Sequence, residues 1–88
     1  MIDKPTIKSQ SIILETMQSQ LIPPYPLPNR KRLIIHNYGN VTIYIGGSDL
    51  TIQNGLAIEP KNYIVLNLPN YVYALVNLKT QIRILEIS

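Results

Sequence analysis

From residue 30 to the C-terminal end, the hydrophobic positions fall in short β-branched runs of roughly five residues, each broken by turn-forming residues. Leu33-Ile34-Ile35 leads into the turn Asn37-Tyr38-Gly39-Asn40. Val41-Thr42-Ile43-Tyr44-Ile45 then alternates with period two, which turns Val41, Ile43 and Ile45 toward a core. Gly46-Gly47-Ser48-Asp49 supplies a reversal before a short strand at Leu50-Thr51-Ile52, and Asn54-Gly55 is the strongest hairpin signal because both residues tolerate positive φ. Leu56-Ala57-Ile58, the turn Glu59-Pro60-Lys61-Asn62 and the run Tyr63 to Leu68 follow. After a break at Pro69-Asn70, strands at Tyr71 to Val76 and Gln81 to Ile87 complete the series. No stretch sustains a helical period. Seven or eight strands in this length predict an all-β fold of two packed antiparallel sheets, a small jelly-roll-like β-sandwich whose core holds Val41, Ile43, Ile45, Ile64, Leu66, Ile82 and Ile84.

The pattern differs before residue 30. Four of the six residues Pro23-Pro24-Tyr25-Pro26-Leu27-Pro28 are prolines, which fix φ and lack a backbone donor, so neither a helix nor an inner strand crosses this segment. Upstream, Thr6 to Leu14 reads as a strand and Glu15 to Gln20 as a helical turn or irregular bridge. The expected division is therefore an N-terminal arm with a Pro-rich linker over 1–29 and a sandwich over 30–88. The arm is expected to reach a neighbouring subunit through the anchors Ile12, Ile13, Leu14, Tyr25 and Leu27. The alternative is that it adds edge strands to its own domain.

Composition narrows the function. A chain of 88 residues with 45% hydrophobic and 15% charged residues holds one modest core, and domains of this size commonly need staples, a metal or a partner. With no cysteine there is neither a disulfide nor a thiolate metal site, which leaves oligomerisation. No apolar run approaches the roughly 20 residues that span a bilayer, and Met1-Ile2-Asp3-Lys4 lacks the order of a signal peptide. The chain is expected to be cytosolic when made, without membrane contact. Its 6 Tyr, with no Phe or Trp, give every ring a hydroxyl suited to half-wet interfaces.

Catalytic chemistry has little to work with. One His and five carboxylates stand on strands and turns in no catalytic constellation, so no catalytic, cofactor-binding or metal-ligating residue is assigned. Gly46-Gly47-Ser48-Asp49 lacks the following helix and lysine of a phosphate loop. The net charge of +3 comes largely from Arg30-Lys31-Arg32. This cluster could touch phosphate, but the other cations form no stripe along a face. A protected strand edge or a docking contact to an acidic neighbour is the preferred reading, and nucleic acid is disfavoured.

The stretch Arg32 to Glu86 also carries a resemblance. A basic residue precedes an apolar strand ending in Asn37; then come Ile43-Tyr44-Ile45-Gly46, Thr51 to Gly55, Ile58-Glu59-Pro60, Tyr73-Ala74 and the closing Ile82 to Glu86. This order resembles the small β-sandwich modules of tailed-phage and other virus structural proteins: head fibres, capsid decoration proteins and tail components. Lys61-Asn62 departs from it, since such modules often place a glycine after the proline. The resemblance implies a non-enzymatic virion protein without cofactors that assembles with itself, a trimer being favoured, and with other virion proteins. Two other readings stand beside it: a glycan-binding module using Tyr38, Tyr71 or Tyr73 as platforms, and a nucleic-acid-binding barrel using Arg30, Lys31 and Arg32.

Overall fold

The computed structural model describes residues 5–88, which form eight strands and no helix: β1 (Ile7–Leu14), β2 (Gln20–Ile22), β3 (Arg32–His36), β4 (Ile43–Gly46), β5 (Leu56–Ile58), β6 (Tyr63–Leu66), β7 (Val72–Val76) and β8 (Thr80–Ile87). Each strand of the first half pairs antiparallel with one of the second: β1 with β8, β2 with β7, β3 with β6, β4 with β5. This double ribbon folds over itself so that β3 also lies against β8 and β4 against β7. The outcome is two four-stranded sheets, ordered β1-β8-β3-β6 and β2-β7-β4-β5. That is the strand order of a jelly roll, as the sequence pattern anticipates.

Alternation places the core where period two predicts it. Ile43 and Ile45 of β4 and Ile82 and Ile84 of β8 are buried between the sheets, joined by Leu33, Ile35, Ile58, Val72, Ala74 and Val76. Ile64 and Leu66 pack against this cluster but stay half-buried, because β6 is an edge strand with a neighbour on one side only. Val41 is also half-buried and precedes β4 rather than belonging to it.

Two expectations about local structure are corrected. Leu50-Thr51-Ile52 is not a strand: Leu50 is buried, and the chain turns through residues 51–55. The backbone N–H of Thr51 donates to Asn54 Oδ1 (2.7 Å), that of Asn54 to Thr51 Oγ1 (3.1 Å), and that of Gly55 to the Thr51 carbonyl (3.0 Å). Gly55 accordingly needs no positive φ, so Asn54-Gly55 is not the two-residue hairpin expected; Gly55 serves by leaving room, since a Cβ there would lie 2.7 Å from Tyr44 Cβ. Between residues 15 and 20 the irregular bridge, one of the two expected alternatives, is what forms, with Thr16 bridging to Val76.

The largest correction concerns the arm. Residues 7–22 supply one strand to each sheet, and Ile12, Leu14 and Ile22 lie in the same core as β4 and β8. The division at residue 29 thus cuts through a single core, and the alternative of edge strands added to the chain's own domain is the one observed. The proline run ends strands but does not separate units: after a cis Ile22–Pro23 peptide, Pro23 is buried and the segment crosses from the second sheet back to the first. Residues 1–4 of the expected arm lie outside the described residues.

The position after Pro60 also resolves. Lys61 adopts a left-handed φ of 70°, the conformation that glycine most readily takes, and its N–H donates to the Asn37 carbonyl (2.8 Å). Asn37 is fully buried there and clasps the two sheets, with Nδ2 donating to the carbonyls of Val41 and Ile58, both at 2.8 Å. A fragment of residues 29–88 is expected not to fold cooperatively, since it loses three core side chains and uncovers β8 and β7. Flat far-ultraviolet dichroism and poorly dispersed amide resonances would bear this out; a cooperative thermal transition in the fragment would refute it.

Candidate functional site

Surfaces rather than clefts carry the distinctive chemistry. In β2, β7, β4 and β5 the residues alternating with the core positions are Leu21, Tyr73, Leu75, Tyr44, Gly46 and Ala57, and the register sets them side by side: Leu21 opposite Tyr73, Tyr73 opposite Gly46, Leu75 opposite Tyr44, Tyr44 opposite Ala57; Leu75 is buried among its neighbours. None is charged. A sandwich sheet that meets water normally shows polar residues on this side, whereas this face has the aromatic, charge-depleted character of a protein interface.

The outer face of the other sheet is mixed. One row across it reads Ser9, Leu85, Ile34 and Val65, and the next Ser11, Arg83, His36 and Tyr63. An open groove runs along these rows, lined by Ser9, Ser11, Ile34, His36, Arg83 and Leu85. At its basic end the Arg83 guanidinium lies 3.9 Å from the centre of the Tyr38 ring, Lys61 Nζ lies 5.3 Å from the same ring, and His36 meets it edge-on at 6.3 Å. Lys61 Nζ also donates to the Tyr38 carbonyl at 2.7 Å. The ring of Tyr38 therefore already has a guanidinium against it. Tyr73 is half-buried within its sheet face, while Tyr71 stands exposed in the turn before β7.

The basic cluster expected at Arg30, Lys31 and Arg32 is split by the fold. Arg30 is 2% exposed and points inward. Its Nη1 lies 3.2 Å from Glu86 Oε2, which also accepts the Leu27 N–H at 2.9 Å, and its Nη2 donates to the Asn70 carbonyl. Arg30 is thus removed from any docking or phosphate role as a surface cation. Arg32 is exposed with Nε donating to Asn67 Oδ1 (2.8 Å), and Lys31 is exposed. A readable signal for this pair exists: period two along Ile82, Ile84 and Glu86 puts a carboxylate in a core row, and a buried carboxylate demands a cation.

The other expected anchors also divide. Ile12 and Leu14 face the core, Leu27 is half-buried beside Glu86, and Ile13 and Tyr25 are exposed, at 54% and 84%. Among the described residues no group of three or more His, Cys, Asp or Glu side chains is placed to hold a metal ion, and no helix is long and apolar enough to cross a membrane. Comparisons with family models, with curated proteins and with solved structures find no match.

Breaking a buried ion pair from one side leaves a charge without a partner in a low-dielectric site, at a cost of about 3–5 kcal/mol. Arg30→Ala is expected to lower stability by that order, Lys31→Ala to leave the urea midpoint where it is, and the joint change Arg30→Met with Glu86→Leu to restore most of the loss. Equal small effects of Arg30→Ala and Lys31→Ala in urea titrations would contradict the placement of Arg30.

Proposed function

We propose that the chain is a non-enzymatic virion structural protein, a capsid decoration, head-fibre or tail-associated module that works by packing against copies of itself and other particle proteins. The observation that carries this reading is the uncharged outer face of Leu21, Tyr44, Ala57 and Tyr73, in which Ala57 is exposed, the other three are half-buried, and Leu75 is buried between them. An uncharged, aromatic outer face of this kind fits one that is covered on assembly. The jelly-roll strand order and the resemblance to virus modules support the setting, since viral capsid domains use this architecture, as do lectins and cupins. The nucleic-acid reading loses its chief support with Arg30 buried against Glu86.

Light scattering on the intact chain at several concentrations, in low and in high salt, tests the reading. A discrete oligomer that survives high salt is expected, because apolar burial is not screened. Ala57→Glu places a charge at an exposed point of the face without touching the core, and is expected to lower the oligomeric mass while leaving the thermal midpoint within a few degrees. A monomer under every condition would overturn the reading and direct attention to glycans at the exposed Tyr71.

A further inference from the structure

Of the four sheet edges, three are protected by shortness: β2 and β5 have three residues each and β6 has four. β1 has eight, without a proline, and with Lys8 as its single charge. Natural sheets blunt long edges with charges, prolines or bulges, because a row of unpaired N–H and C=O groups is a template for another strand. β1 has no bulge, as its register against β8 runs unbroken from Ile7↔Ile87 to Leu14↔Thr80.

Which groups face outward follows from the ladder. The Ser88 N–H donates to the Thr6 carbonyl (3.0 Å), so the even-numbered residues of β1 bond to β8 and the odd-numbered Ile7, Ser9, Ser11 and Ile13 aim their backbone groups away from it. Among the described residues, the one hydrogen bond to these outward backbone groups is from Gln20 Nε2 to the Ile13 carbonyl, long at 3.4 Å. The side chains of the same four residues lie on the outer face of the sheet and read Ile, Ser, Ser, Ile: a palindrome centred on Gln10.

We infer that β1 pairs antiparallel with β1 of a second copy about a two-fold axis at Gln10, joining two four-stranded sheets into one. This rests on the assembly reading above and names the contact. The two-fold sets Ile7 against Ile13 of the other copy and Ser9 against Ser11, each pair exchanging two backbone hydrogen bonds, with Gln10 opposite Gln10 in the non-hydrogen-bonded site between them. Ile7 and Ile13, 68% and 54% exposed, then cover one another, and Lys8 faces Ile12 rather than a like charge. A register shifted by two residues would set Ser9 against Ile13 and leave Ile7 without a cross-strand partner. The contact is isologous, in place of the three-fold ring that the resemblance implies.

The absence of cysteine makes the register directly readable. Across a non-hydrogen-bonded antiparallel pair the Cα atoms stand about 4.5 Å apart, within the range a disulfide spans. Single substitutions Ser9→Cys, Gln10→Cys and Ser11→Cys in the full chain are oxidised mildly, and the covalent dimer is quantified by non-reducing electrophoresis. Gln10→Cys is expected to cross-link at least several-fold more than either neighbour. In parallel, Ser9→Pro removes a donor that has no partner among the described residues, a change edge strands accept. It is expected to reduce the oligomeric mass with the thermal transition retained. If the wild-type chain is an oligomer but cross-linking shows no preference for position 10, or peaks elsewhere, and Ser9→Pro keeps the wild-type mass, the β1 contact is overturned while the assembly reading stands. A wild-type monomer overturns both.

Discussion

Everything in this fold depends on the pairing of β1 with β8, which holds the first and last strands together over eight residue pairs. It is the outermost turn of a ribbon in which every strand of the first half is answered by one of the second, down to β4 against β5. Such pairings bring together residues far apart in sequence, so loop-closure entropy must be lost before the contacts form. No disulfide reduces that cost in the unfolded chain. The core is small enough that Leu14, Ile82 and Ile84 of the first sheet and Ile22 of the second must all be present for the two sheets to have something to close on. The Pro-rich segment, which in composition looks like a linker, is therefore a strap within one unit.

The strap is anchored at its start by the buried Pro23 and at its end by electrostatics. Glu86 occupies a core position of β8, and Arg30, leaving the proline run, reaches it while also meeting the Asn70 carbonyl before β7. Leu27 contributes its backbone N–H to the same carboxylate. Three segments distant in sequence thus converge on one buried pair, whose directional requirements fix how the strap enters β3. At the opposite connection Asn37 does comparable work with neutral hydrogen bonds, tying the exit of β3 to the end of β5 and to the turn at Lys61. A sandwich of this size has little apolar area with which to define its corners, and buried polar groups with specific partners define them instead.

Legibility in the sequence followed the reach of each interaction. Period two is local, so the core faces of β4 and β8 and the sandwich class could be read from Ile43, Ile45, Ile82 and Ile84. The same period puts Glu86 in a core row and so signals a buried cation, but which of three adjacent cations answers it, 56 residues away, is not legible until the fold brings Arg30 to it. The arm was misread for a similar reason: Ile12 and Leu14 are as apolar as an intermolecular anchor would be, and only the β1 to β8 register shows that their partners belong to the same chain. Leu50 to Ile52 has strand composition but is held as a turn by the reciprocal Thr51 and Asn54 bonds, a case of side-chain capping overriding propensity. The Tyr-rich outer face was visible only as an excess of tyrosine, since which tyrosines share a face depends on pairing.

That face and the β1 edge offer two contacts of different physical character, and the proposed assembly would use them differently. Edge pairing is made of backbone hydrogen bonds and is sensitive to register, so it determines orientation and symmetry while contributing modest apolar area. Packing on Leu21, Tyr44, Ala57 and Tyr73 is made of area and is tolerant of small rotations, so it contributes affinity without strictly setting geometry. The two surfaces belong to different sheets, since β1 bounds the first and these residues cover the second. Neither contact therefore obstructs the other. A module with one directional edge and one adhesive face can form a defined pair and still lie flat on a larger particle, which is what a decorating or fibre-associated subunit has to do.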